Sequence, residues 1–540
     1  MNILDWTIVI AYFAGMIGLA LWLGRTQENG KDYYLGGNSL SWWSIGISTM
    51  ATQCSVNSLL GAPAFVIAVG GLLWLQYEIA MPLAMIGVMV FLLPFFRRQN
   101  VISVYEYLER RFGIGTRTLL SITFQFFRAF ATGVTVYGTS LVVEKLIDMP
   151  FWLAVLILTG VTIVYDFFGG MKAVVFSDLI QMAILYSGIV LALFFAVDAV
   201  GGWSEVLRNF PAEKFRGLSF EGHGLGDNHT FAFLPMLLGC FFLYMSYYGC
   251  DQTQVQRELA SKNLDDTNLS LFMNGLLRFP LVVTYCLLGV AIGAYLSLHP
   301  EFLELLRPAP GLEANYNLAV PVFVLHHLPH GVIGLIIVAL FAAAMSSLDS
   351  TLNSLSATTM QDLVQRFWLH HPEPRTELLL SRLTTLFWGL VCGAFSFVVG
   401  NFSASIIEAI NMIGSLVNGS ILAVFLLAIL TRRTNGFGAV FGFCLGLAFN
   451  FYLWLYQPEV SWLWWNVFGC VLGFCGGYLA SFLRPAPSWD TIEDLVFHRN
   501  ARDFFHYRRA WPRYHAVLAL YAAVLVLACA GMRYLPQLAE

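Results

Sequence analysis

Long apolar runs recur from one end of the chain to the other, and charges collect in the short stretches between them. A bilayer's hydrocarbon core is about 30 Å thick and takes about 20 apolar residues as a helix. About fourteen runs of that kind can be marked, at 3–24, 40–69, 71–96, 117–147, 150–168, 173–200, 229–250, 268–297, 331–360, 380–401, 404–430, 435–457, 461–483 and 514–534. A transmembrane β-barrel would alternate apolar and polar positions over segments of about 10 residues, whereas these runs are continuous and punctuated by Gly and Pro. The pattern predicts an all-α polytopic membrane protein. The first run lacks a basic leading region and a small-residue cleavage site, so it is read as a retained helix.

Two runs contain a break. In 40–69 the stretch ATQCSVNSLLGAP gathers polar residues, Gly61 and Pro63 at mid-span, and 229–250 carries Pro235 and ends in YMSYYGCDQ. Each begins a block of five runs, 40–200 and 229–430, with 1–39 as a leading helix and loop and 435–540 as peripheral helices. Discontinuous helices at matching places in two halves point to an inverted repeat of five plus five helices (LeuT-like) within a single transmembrane transporter domain.

Composition agrees. Of 540 residues 58% are hydrophobic and 11% charged, far from a soluble balance. The nine cysteines fall inside apolar runs and suggest no disulfide framework, and a net charge of −4 argues against a nucleic-acid partner. With the first terminus outside, most Lys and Arg, among them Arg97, Arg98, Arg110, Arg111, Arg432 and Arg433, fall in cytoplasmic loops. Both termini are thus expected outside a plasma or bacterial inner membrane, with a monomer as the working unit. No soluble stretch is long enough for a sensor's signalling module. The local clustering of polar groups speaks against a sodium-conducting channel, and no HExxH, GxSxG or intramembrane His pair suggests an enzyme.

A charge at mid-bilayer costs about 2.5–3.5 kcal/mol on insertion scales, so each one needs a partner or a task. Glu78, Arg128, Asp178, Arg278, Asp349 and Glu408 lie within runs. The segment FAAAMSSLDSTLNS, Phe341 to Ser354, is more unusual: Ala343, Ser346, Ser347, Ser350 and Ser354 recur at helical intervals, so most of them share one face. Hydroxyls there either permit close helix packing or, with carbonyls freed by the break at ATQCSVNSLLGAP, surround a hard cation such as sodium.

Five segments in order, DYYLGGNSLSWW, FFGGMKAVVFSDLIQ, GCDQTQVQRELASKN, AAAMSSLDSTLNS and ILAVFLLAILTRRTNGFGAVFG, resemble the sodium/solute symporter family, its bacterial sialic acid and galactose transporters in particular. The resemblance spans nearly the whole chain. It implies the same five-plus-five fold and a common sodium site made by carbonyls of Ala51, Cys54 and Ala343 with the hydroxyls of Ser346 and Ser347. It implies a possible second cation site at Asp178, Asp349 and Ser350, near Ser346. Asp349 stands where the family usually has serine, and Asp166 where it has a small or hydroxyl residue. The two facing carboxylates can bind a cation, share a proton or pair with a basic residue such as Arg128.

Solute-binding positions implied by the resemblance are Ser55, Asn57, Ser58, Gln76, Tyr77, Glu78, Arg128, Asp251, Gln252 and Asn411, with Phe65, Trp74 and Tyr247 able to close over the ligand. Arg128, in FQFFRAFATG, needs a carboxylate, supplied by Glu78, by Asp349 or by the solute. The expected function is sodium-coupled import of a small, carboxylate-bearing solute of sialic acid or monocarboxylate type. A neutral sugar or polyol is the alternative.

Overall fold

The first helix, α1 (Ile3–Leu23), begins at a reciprocal cap: Asn2 accepts the Asp5 amide at 3.1 Å while the Asp5 carboxylate accepts the Asn2 amide at 2.8 Å. The same carboxylate is fully buried and takes the amides of Gly331 and Gly334 at 2.7 and 3.0 Å. These donors are what let an acid sit at the start of an apolar helix.

The structure is a computed structural model that describes residues 1–307, 313–370, 372–399, 406–498 and 507–539. Side chains of Asn57 and of residues 406–410, Glu408 among them, lie outside the described residues.

The expected break in 40–69 is present. Helix α2 (Trp42–Gln53) ends at Cys54, whose ψ of 62° leaves the helical path, and a wide turn over Asn57–Gly61 leads into α3 (Ala62–Ala68). The two segments are bent by 59°. Pro63 falls in the first turn of α3, where its missing N–H costs no helical bond. A single apolar span follows as α4 (Gly71–Gln99), then α5 (Ile114–Ile147) and α6 (Phe151–Val200). Inside α6 the backbone turns at Gly170, with φ 54° and ψ −160°. A Cβ there would lie 2.7 Å from the Tyr33 carbonyl oxygen, so only glycine permits the turn.

The second break is also found. A wide turn over Pro235–Gly239 opens α7 (Cys240–Cys250), Asp251 is extended at φ −82° and ψ 122°, and α8 (Gln252–Leu259) follows. The remaining long helices are α9 (Leu264–Leu298), α10 (Val332–Thr358), α11 (Pro374–Val398), α12 (Ile406–Leu430), α13 (Gly436–Tyr456), α14 (Trp462–Ala480) and α15 (Trp511–Gly531).

Among the described residues eleven helices are long and apolar enough to cross a membrane, or twelve if the bent pair of α2 and α3 forms one span. The sequence suggests about fourteen. The difference lies in α6, one element where runs 150–168 and 173–200 are expected, and in α7, which at 11 residues is too short to span alone.

Burial sorts the helices. The most apolar window of the span containing α10 is 83% buried, against 22% for those of α1 and α15, so α10 is central and the other two are peripheral. Helix α10 packs along α6 and beside α5 and α1. At the far end, α13 and α14 meet through glycines: a Cβ on Gly442 would lie 2.3 Å from the Gly473 carbonyl oxygen, and one on Gly446 2.4 Å from that of Gly469. Such contact lets backbones approach and gain dispersion where lipid offers no hydrophobic drive.

Candidate functional site

The serine face of α10 meets the break after α2. Ser346 Oγ lies 3.2 Å from the carbonyl oxygen of Ala51 and 3.2 Å from that of Ala343. Thr52 Oγ1 is 3.5 Å from the Ser346 carbonyl and 3.0 Å from Ser350 Oγ. Ser347 donates to the Ala344 carbonyl at 3.0 Å and turns toward the neighbouring cavity. Cys54 is buried at the break itself, its sulfur 2.7 Å from Arg278 Nη1. Oxygens from α2 and α10 thus converge beside the cavity, with Ala51, Ser346 and Ser350 buried.

One turn along α10 is a buried charge cluster. Asp178 accepts the Ser48 hydroxyl at 2.6 Å and faces Arg257 Nη2 at 3.7 Å, with both side chains fully buried. Arg257 also donates to Ser350 Oγ, and to the Thr253 carbonyl at 2.8 Å. Asp349 accepts the Tyr165 hydroxyl at 2.5 Å, and its carboxylate is 3.4 Å from Ser177 Oγ. Asp166 is likewise buried, 3.3 Å from Asn353 Nδ2. The basic partner here is therefore Arg257 and not Arg128. Burying an ionised carboxylate without a counter-charge is costly; the guanidinium supplies one positive charge, at Asp178, while Asp349 and Asp166 meet neutral hydrogen-bond donors.

Beside the break lies a cavity of about 190 Å³. Of the expected solute positions, Ser55, Ser58, Tyr77, Glu78, Arg128, Asp251 and Asn411 line it. Gln76 and Gln252 do not, because other groups use their amides. Gln76 donates to the Phe231 carbonyl at 2.6 Å and accepts the Ser219 amide at 3.2 Å, tying a loop down. Gln252 donates to the Ile102 carbonyl at 2.7 Å and accepts the Val104 amide at 2.9 Å. Of the three aromatics, Trp74 and Tyr247 line the cavity. Trp74 stacks on Tyr77 with ring centroids 5.0 Å apart, and Phe65 buttresses Trp74 from behind at 5.0 Å.

Two arginines reach this cavity, each with an acid from the protein. Arg128 is 3.5 Å from Asp251, lies over the Tyr247 ring at 5.3 Å and donates to Thr253 Oγ1 at 2.7 Å. Its acid is neither Glu78 nor Asp349. Glu78 instead pairs with Arg278 at 3.5 Å and accepts the Tyr244 hydroxyl at 2.8 Å.

Sequence reasoning missed Arg257, Tyr165 and Thr253. QTQVQREL carries few apolar residues and reads as a rim segment, yet every residue of α8 is buried. The signals for it are its position just after GCD, where the second broken helix resumes inside the protein, and its place within one of the segments that resemble the family.

A model of the sodium:solute symporter family matches residues 33–446. The chain belongs to the sodium:solute symporter family. It is 29% identical to the sodium/sialic acid symporter NanT of Aliivibrio fischeri over 457 residues, which cover 82% of this chain and 86% of that one. To the sodium-coupled monocarboxylate transporter 1 of Xenopus laevis it is 28% identical, over 81% of this chain and 70% of the other. A solved sodium-coupled sialic acid symporter, substrate-bound and outward-open, superposes with a TM-score of 0.82 at 25% identity, covering 90% of this chain and 99% of that one. As a member of this family the chain is a sodium-coupled symporter and not an enzyme.

Proposed function

We propose that this symporter imports a small carboxylate-bearing solute, held in the cavity beside the two broken helices, with one sodium ion per cycle. The observation that carries the solute class is Arg128: a partly buried guanidinium lining the cavity, whose nearest carboxylate among the described residues stands off at 3.5 Å. An arginine fork matches a carboxylate in a way it matches no sugar hydroxyl. Similarity to sialic acid and monocarboxylate symporters supports the same class.

Sodium is read at the carbonyls of Ala51, Cys54 and Ala343 with the hydroxyls of Ser346 and Ser347. Support comes from Ser346, which already touches two of those carbonyls. Bridging α2 to α10, the ion would favour the conformation with a formed cavity and raise solute affinity, and solute would raise sodium affinity equally. At the second cation position, Asp178, Asp349 and Ser350, the Arg257 guanidinium already stands 3.7 Å from Asp178 and donates to Ser350. That favours a single sodium.

The five-plus-five inverted repeat over 40–200 and 229–430, fourteen spans, both termini outside a cell membrane and a monomeric unit complete the reading. The breaks at Cys54 and Asp251, in corresponding places of the two halves, support the repeat.

The test is uptake into proteoliposomes from a panel of sialic acid, pyruvate, lactate, glucose and galactose, with and without a sodium gradient. Sodium-driven accumulation of an acid, abolished by Arg128→Ala, is the expected result. Accumulation of neutral sugars alone would overturn the solute class.

A further inference from the structure

Arg128 and Asp251 face one another in the cavity wall, and their pairing is loose. The nearest atoms, Nη1 and Oδ2, are 3.5 Å apart, whereas a charge-assisted pair closes to about 2.7–2.9 Å. Among the described residues the other terminal nitrogen meets hydroxyls only, Thr253 Oγ1 at 2.7 Å and Tyr247 OH at 3.4 Å. Nε, though buried, has no hydrogen-bond partner among the described residues. Most of the fork's donor capacity toward a planar anion is therefore unspent.

Asp251 has a second place to put its charge. It is the N-cap of α8: Oδ1 accepts the Thr253 amide at 2.8 Å and also the Thr253 hydroxyl. The partial positive charge at the start of α8 favours an anion there whether or not Arg128 is near. Only Oδ2 faces the arginine, so separating the two breaks one long contact and leaves Asp251 capped.

We infer that Asp251 is an exchangeable partner: between cycles it neutralises Arg128, and the incoming carboxylate of the solute takes its place on the same guanidinium. The inference rests on the carboxylate reading given above. Three consequences follow from it. A solute without a carboxylate does not replace the contact it breaks, so Asp251 acts as a specificity residue against neutral sugars. Part of the solute's binding energy is spent on displacing Asp251, which keeps affinity below that of an unopposed arginine. On the inner side Asp251 recaptures Arg128 as the solute leaves, which speeds release. Thr253 touches both members of the pair and sits on α8 one turn before Arg257, which reaches Ser350 and through it Thr52. The exchange thus lies on a continuous set of contacts leading to the proposed sodium oxygens.

Asp251→Asn and Asp251→Ser test this, since both residues are good N-caps and keep α8 anchored. Uptake kinetics are measured in proteoliposomes for whichever acid of the panel the wild-type protein accumulates. The expected result is a three- to tenfold lower KM in both variants, with Vmax falling alongside because release loses its competitor. An unchanged or raised KM in both would overturn the exchange and leave the carboxylate reading standing, since it means that Asp251 only caps the helix or itself binds the solute. If the wild-type protein accumulates neutral sugars and no acid, the exchange and the carboxylate reading both fail.

Discussion

The hydroxyl of Ser346 lies 3.2 Å from the carbonyl oxygen of Ala51, linking the central helix α10 to the end of α2 where that helix breaks. A packing role alone would ask nothing of this hydroxyl beyond its small size. As a cation ligand it does more, so Ser346→Ala is expected to raise the sodium concentration for half-maximal uptake about tenfold. That corresponds to about 1.4 kcal/mol, the scale of one polar contact. Solute uptake at saturating sodium should fall much less. An unchanged sodium dependence in the alanine variant would remove this serine from the ion site.

One sodium carried with one monovalent acid moves no net charge. Uptake is therefore expected to be electroneutral. A potential of 100 mV, imposed with a potassium gradient and ionophore, should change accumulation by less than about twofold. Each uncompensated charge is worth about 2.3 kcal/mol at that potential, or about fiftyfold in accumulation. An effect of that size would mean that a second cation enters despite Arg257.

What the sequence made legible was whatever interrupts an apolar run. The break after Gln53 and the one at Asp251 were readable because polar residues, Gly and Pro stand where leucine would do. The serine face of α10 and the isolated Arg128 were readable for the same reason. Partnership was not. Gln76 and Gln252 have the chemistry of ligand-binding amides, yet backbone groups of distant loops claim them. Arg257 reads as one more cytoplasmic basic residue because α8 is mostly polar, and only the fold shows that it is buried against Asp178. Spacing along one helix reports a shared face, but it carries no information about which residues from other helices are brought against that face.

The glycine contact between α13 and α14 should be intolerant of even one methyl group. In Gly442→Ala the new Cβ would stand 2.3 Å from the Gly473 carbonyl oxygen, a backbone atom that can retreat only if the helices separate. Overpacking of this kind costs about 1–3 kcal/mol. A lower melting temperature in detergent is expected, with the sodium dependence of uptake unchanged because these helices lie away from the cavity. By contrast, Gly15→Ala on peripheral α1, where nothing lies within 4 Å, should melt like the wild type.

Arg257 and Asp178 provide the sharpest test of the buried cluster. Both side chains are fully buried with their charges 3.7 Å apart, so removing the arginine strands a carboxylate out of water. Breaking such a pair costs about 3–5 kcal/mol, more than the pair itself contributes, because the penalty is that of the charge left behind. Arg257→Met is accordingly expected to be severely destabilised. Adding Asp178→Asn removes the stranded charge while keeping an acceptor for the Ser48 hydroxyl. The loss in the double variant should be smaller than the sum of the two single losses by at least about 1 kcal/mol, a coupling in the range measured for contacting residues. Thermal unfolding of the four proteins in one detergent reads the cycle directly. If the two changes simply add, the counter-charge of Arg257 is Asp349 or Asp166, and Asp349→Asn or Asp166→Asn would give the rescue instead.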